Sequence, residues 1–136
     1  MREIKVRGYS VEKLCADSQW VEGFGVMDVK YTDGKIEYFI ISNYGEFEVH
    51  PESIGQFTGL HDKNGLEIYE GDIVLRELVT IGIHINEDFI GQVKMYEGRW
   101  WIDNGRDAVP LWSPFDELIV LGNIYEHPNL LEGDDS

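Results

Sequence analysis

Apolar and polar residues alternate with a period of two through most of the chain, which predicts strands rather than helices. Ile4, Val6 and, after a slip at Gly8, Tyr9 mark a first strand with one buried face. SVEKLCADSQ at 10–19 interrupts the pattern and reads either as a short helical turn, with Ser10 as N-cap and Lys13 in its last turn, or as a loop. WVEGFGVMDVKY, Trp20 to Tyr31, predicts one long strand whose glycines at 23 and 25 mark a bulge or a close backbone approach. Thr32-Asp33-Gly34-Lys35 is a hairpin turn, and IEYFIIS returns over 36–42 with Phe39-Ile40-Ile41 expected inside. Asn43-Tyr44-Gly45 turns the chain into Glu46-Phe47-Glu48-Val49, with Phe47 and Val49 inward. His50-Pro51-Glu52-Ser53 then leaves the strand, because proline cannot donate to a ladder.

Residues 56–74, QFTGLHDKNGLEIYEGDIV, hold two turn clusters and two apolar runs in one short window. Asp62-Lys63-Asn64-Gly65 is a turn in which Gly65 supplies positive φ, Ile68-Tyr69 begin a short strand, and Gly71 turns the chain into Ile73-Val74-Leu75. Asp62, Asn64, Gly65 and Gly71 are therefore assigned as structural turn residues. The stretch resembles the signature of the YopX family of bacteriophage and prophage proteins. VLGNIYEHPNLL at 120–131 and the opening MREIKVRGYS are similar to the same family, although Gly8 stands where an aromatic residue is usual there. The resemblance implies a fold and a phage setting, and it transfers no catalytic residue.

The second half has the rhythm of a small barrel. After an excursion over 76–88 that contains VTIGIHI, apolar enough to be a strand of its own, Gly91 to Tyr96 rises to a Glu97-Gly98 turn, and Arg99 to Asp103 returns. A turn at Asp103-Asn104-Gly105, strands over 108–112 and 118–121, and a closing turn or short helix at 122–125 complete the set, with Pro128 limiting any helix beyond. The expected class is mainly β, a β-dominated α+β arrangement. An N-terminal antiparallel hairpin subdomain over 1–54 would pack on a signature and SH3-like small-barrel subdomain over 55–131, followed by an acidic tail over 132–136.

Charge changes the picture of partners. The chain carries 26 acidic and 11 basic residues, a formal net charge of −15, and 17 of the acids lie in 51–136 with only 5 of the bases. Duplex nucleic acid is a poor partner for such a surface, since phosphate affinity comes from counterion release by Lys and Arg. A basic protein partner fits it better. No apolar run approaches a membrane span and the start reads as no signal peptide, while Cys15 is the single cysteine, so a reduced thiol in the host cytoplasm is expected.

Candidate chemistry is sparse. Asp62 to Ile73 fails the EF-hand pattern, with Gly in fourth place and Ile at the twelfth. Glu67, Glu70 and Asp72 are spaced closely enough to suggest a Mg²⁺ site, but they flank a turn where carboxylates cap backbone groups. His84 sits between Ile83 and Ile85 and reads as a surface or hydrogen-bonded residue. Trp100 and Trp101 point to opposite strand faces; with Tyr96, Trp112 and Phe115 they could line an aromatic groove for a peptide or a base. The expected function is a phage-encoded, non-enzymatic accessory protein that binds a protein partner. Its candidate surface comprises Trp100, Trp101, Tyr96, Trp112, Glu67, Glu70 and Asp72, with no catalytic residue, cofactor or metal, and a homo-oligomer is compatible with the sequence. The alternatives are a metal-dependent enzyme using the clustered carboxylates and a single-stranded nucleic-acid binding module.

Overall fold

The computed structural model describes residues 4–80, 83–84, 88–112 and 116–131. Phe115 and the acidic tail over 132–136 lie outside the described residues. The protein is mainly β, built from antiparallel strands, and it divides into two compact units, Met1–Phe57 and Thr58–Ser136.

The first unit contains β1 (Val6–Tyr9), β2 (Trp20–Gly23), β3 (Gly25–Lys30), β4 (Ile36–Ser42) and β5 (Gly45–Val49), followed by a 3₁₀ turn over Pro51–Ser53. β1 pairs antiparallel with β2 from Val6↔Gly23 to Tyr9↔Trp20, and with the start of β6 (Gly55–His61) at Arg7↔Gly55. β3, β4 and β5 form a meander through two tight turns. Its core is small: Val21, Ile40 and Val49 are buried, and Val6, Leu14, Tyr38, Phe47 and Ile54 pack against them. Phe47 and Val49 face inward as the alternation requires. Of Phe39-Ile40-Ile41 only Ile40 is fully buried, since neighbouring residues of a strand face opposite ways.

The structure departs from the sequence expectation at one place and decides between two readings at another. The run from Trp20 to Tyr31 is broken at Phe24 into β2 and β3, and Phe24 N–H donates to the Ile41 carbonyl at 2.9 Å. Gly23 is the reason: a Cβ there would lie 2.2 Å from the Ile41 oxygen, so the chain touches β4 backbone to backbone and turns. Residues 11–19 form a loop, one of the two readings the sequence left open. Ser10 is buried, bridges to Val49, and its hydroxyl donates to the Glu12 carbonyl at 2.6 Å.

The second unit takes the later residues of β6 with β7 (Glu67–Tyr69), and a sheet of β8 (Asp72–Thr80), β10 (Phe89–Tyr96), β11 (Arg99–Asp103), β12 (Ala108–Pro110) and β13 (Asp116–Asn123). The order across that sheet is β12-β11-β10-β8-β13, all antiparallel, and β9 (Ile83–His84) folds back on β8. The stretch read as an excursion is thus a prolonged β8 with its own return strand, which carries His84. Ile68, Val74, Val93, Ile102, Leu111 and Leu118 form the core, with Leu60, Phe89, Trp100, Val109 and Val120 against it. β13 runs on to Asn123, and a 3₁₀ turn begins at Pro128, a position that tolerates the missing N–H.

Candidate functional site

The signature turn is built around one carboxylate. Asp62 is only 6% exposed, and its Oδ1 accepts the backbone N–H of Asn64 and of Leu66, both at 2.9 Å. Such an Asx arrangement is what Asp-Lys-Asn-Gly encodes locally, and Gly65 completes it at φ 88°. Oδ2 does something the local pattern does not announce: it accepts Val120 N–H at 2.9 Å, beside the register shift between Val120 and Gly122 in β13. Lys63 N–H donates to the Leu118 carbonyl at 2.9 Å, so the turn lies along the outer edge of β13 and satisfies it. Burial pushes the Asp62 carboxyl up, but the N–H groups of Val120, Leu66, Asn64 and Gly65 outweigh that and hold it below the usual carboxylate range. Gly71 plays a similar part, donating to the Val93 carbonyl and accepting from Ile124 N–H, each at 2.9 Å, with φ 93°.

The three carboxylates of the metal alternative are not gathered for a cation. Asp72 is 2% exposed and its Oδ2 accepts Tyr69 N–H at 2.8 Å, while Glu67 Oε1 accepts the Tyr69 hydroxyl at 3.0 Å. Asp72 therefore caps the turn from β7 into β8, as a carboxylate beside Gly71 can. Among the described residues, no group of three or more His, Cys, Asp or Glu side chains is arranged to hold a metal ion.

The aromatic residues fall into two groups at one end of the β10–β11 hairpin. On one face of β11, Trp101 stacks on Tyr96 with ring centroids 5.3 Å apart and planes 6° from parallel, and its Nε1–H donates to the Tyr96 carbonyl at 2.9 Å. The Arg99 guanidinium lies 5.3 Å from the Trp101 ring centre, and Lys94 reaches Asp103 at 3.9 Å. Partial desolvation and the neighbouring Asp103 carboxylate push the Tyr96 hydroxyl up, and that hydroxyl points at Asp103 across 3.4 Å. On the other face Trp100 packs against the core. There it lines an open pocket of about 180 Å³ together with Leu60, Arg99, Pro110, Leu111 and Trp112. Trp112 is 61% exposed, the most exposed indole among the described residues.

Leu111 N–H donates inward to the Trp100 carbonyl at 3.1 Å, so Pro110, the alternate position, turns its nitrogen to the open side of β12. A proline there offers no N–H, which blunts this edge against pairing with a further strand. Of the predicted surface residues, the structure brings Trp100 and Trp112 into the pocket and Tyr96 and Trp101 into the neighbouring stack. Glu67 and Asp72 are engaged at the β7 turn, beside Glu70. The pocket residues Leu60, Arg99, Pro110 and Leu111 were not singled out from sequence, because each reads singly as core, charge or turn.

The family model for the YopX protein matches residues 12–132, nearly the whole chain. This chain belongs to the YopX family. Protein yopX from Bacillus subtilis has a similar solved structure, with a TM-score of 0.55 at 15% identity, covering 99% of this chain and 100% of that one. Protein EF1440 from Enterococcus faecalis is similar with a TM-score of 0.50 at 23% identity, covering 95% and 98%. No curated protein sequence matches this chain. At these identities the solved structures speak for the YopX fold alone. The YopX match takes in both the Asp62 turn and the Trp112 pocket, whereas the first eleven residues lie outside it. In that opening, Gly8 is buried and a Cβ would sit 2.9 Å from the side-chain carbons of Val49, so in this chain Val49 fills the space a larger residue 8 would need. Among the described residues no helix is long and apolar enough to cross a membrane.

Proposed function

We propose that this chain is a phage-encoded, non-enzymatic accessory protein of the host cytoplasm that captures a protein partner at the Trp112 pocket. The observation that carries the reading is an exposed indole beside an open, mainly apolar recess of about 180 Å³. That volume lies below the roughly 300–1,000 Å³ of pockets for whole small molecules, and it suits a single anchoring side chain from a larger partner. Tryptophan is among the residue types that concentrate binding energy at protein interfaces, and Arg99, whose guanidinium lies over Trp101, borders the recess. Because Pro110 blunts the β12 edge, capture proceeds through side chains and not by strand addition. The net charge of −15 steers a basic partner toward the protein at low ionic strength.

Immobilised protein and its Trp112→Ala variant, exposed to extract of phage-carrying host cells, test the reading. A protein retained by the parent and lost from the variant, with retention falling as salt rises, is the expected result. Identical retained sets would end it. The metal-enzyme alternative has less support, because Asp72 and Glu67 already accept hydrogen bonds from Tyr69. Single-stranded nucleic acid has less as well, since Trp101 is stacked on Tyr96 and the overall charge repels phosphate.

A further inference from the structure

The three-stranded meander of the first unit departs from the usual economy of an antiparallel sheet, in which one face is apolar and the other polar. Register defines its two faces. Ile40, Phe47, Tyr38 and Val49 share the face that meets the core. The opposite face is made of the rows Met27↔Phe39↔Glu48, Gly25↔Ile41↔Glu46 and Val29↔Glu37. Among the described residues, Met27, Val29, Phe39 and Ile41 stand outside the buried clusters and retain partial exposure, so this second face is apolar at its centre without being core. Its charged rim is one-sided. Glu46 and Glu48 lie along β5, Glu37 lies at the start of β4, and the base on this face, Lys35, is paired to Glu37 at 3.4 Å. Tyr31, 47% exposed, donates its hydroxyl to Glu37 at 2.7 Å and extends the aromatic surface to that corner.

We propose that the outward face of the β3–β5 sheet is a second docking surface, and that its occupant is a basic amphipathic segment of a protein partner whose apolar side chains cover Phe39 and Ile41 while lysines or arginines meet Glu46 and Glu48. Charge complementarity selects this occupant. An acidic segment would meet like charge on the rim, and an uncharged one would leave the carboxylates facing apolar groups. The surface is independent of the Trp112 pocket and stands or falls separately from it.

A synthetic peptide alternating lysine and leucine is the probe, with a glutamate-for-lysine version as its control. Binding is followed by the methyl signals of Met27 and Ile41. The lysine peptide is expected to shift both methyls and to lose tenfold or more in affinity in Glu46→Lys/Glu48→Lys, whose sites are surface positions that leave the core intact. Asp88→Lys/Asp107→Lys, an equal charge reversal at exposed positions, and Trp112→Ala are both expected to keep the parent affinity. Equal losses in the two double variants would reduce the effect to bulk charge and overturn the proposal, as would methyls that do not move. Sedimentation showing a dimer that Glu46→Lys/Glu48→Lys abolishes would assign the face to a second copy of this chain and overturn it equally.

Discussion

The two units solve the same problem, stabilising a small antiparallel sheet, with unequal means. The Thr58–Ser136 unit buries six apolar side chains in one cluster and satisfies the edge of β13 with the Asp62–Lys63 turn. The cluster of the Met1–Phe57 unit holds three among the described residues, and the second face of its meander stays half-covered. Because stabilisation scales with apolar area removed from water, the richer core should carry most of the stability, and the poorer one should be where the chain opens first. A surface left incompletely covered costs stability and leaves room for a partner. The family signature accordingly sits in the unit that holds itself together most fully.

The largest expected effect breaks that stronger core. Ile102→Ala removes a fully buried side chain of β11 and should cost about 3–4 kcal/mol, against about 1.5–2.5 kcal/mol for Val49→Ala in the smaller core, where fewer carbons are lost. Urea denaturation of both variants checks this, and native-state hydrogen exchange should find the amides of β3–β5 opening at lower free energy than those of β10 and β11. Equal exchange free energies in the two units would erase the distinction.

Next in size is the carboxylate that ties the signature to β13. Asp62→Asn turns one of the two acceptor oxygens into an amide donor, so either the Val120 N–H or the Asn64 and Leu66 N–H groups lose their acceptor, which should cost about 2–3 kcal/mol. The same bonds make stability depend on pH. The folded carboxyl is held below its ordinary value of 3.8, so its contribution is complete above that value and is lost as pH falls below it through the folded value. Thermal melts in acid should show the parent losing stability over that window and Asp62→Asn losing less.

That carboxylate also marks the limit of what the sequence could disclose. The strands, the hairpin turns at Gly34 and Gly65, and the mainly β class follow from period-two alternation and turn chemistry, both of which are local. The local half of the Asp62 turn was legible for that reason, while the bond to Val120, 58 residues away, leaves no mark on the residues between. A close approach at Gly23 was legible in the same way, but its partner, the Ile41 carbonyl, and the break at Phe24 depend on how β2 crosses β4. The aromatic residues of the candidate site were readable as types; the recess beside Trp112 needed Leu60 and Leu111 brought to it by pairing.

Two glycines separate strain from crowding at a smaller scale. At Gly65, φ is 88° and a Cβ would meet nothing within 4 Å, so Gly65→Val should cost about 1–2 kcal/mol through backbone strain alone. Gly8 has no such backbone demand, but a Cβ would press on Val49 at 2.9 Å. Val49→Ala removes two of the three carbons that a Cβ at residue 8 would meet and leaves the third, so the double variant Gly8→Ala/Val49→Ala should recover part of the cost of Gly8→Ala, whereas no single neighbour can rescue Gly65→Val. Chemical denaturation of the four proteins decides it, and additive effects at Gly8 and Val49 would remove crowding as the cause.

The smallest effect on stability is the most telling for function. Trp112 is 61% exposed, so truncating it forfeits little buried area, and Trp112→Ala should move the unfolding free energy by less than about 0.5 kcal/mol. Trp100 lines the same pocket but packs on the core, and Trp100→Ala should cost about 2–3 kcal/mol. Natural selection for stability alone has no use for a bare indole, whereas a hot spot must stay bare until its partner covers it. If urea midpoints show Trp112→Ala as damaging as Trp100→Ala, the indole is part of the fold and the pocket is only a seam in it. If the midpoint holds while partner capture is lost, stability and recognition have been assigned to adjacent tryptophans of one pocket.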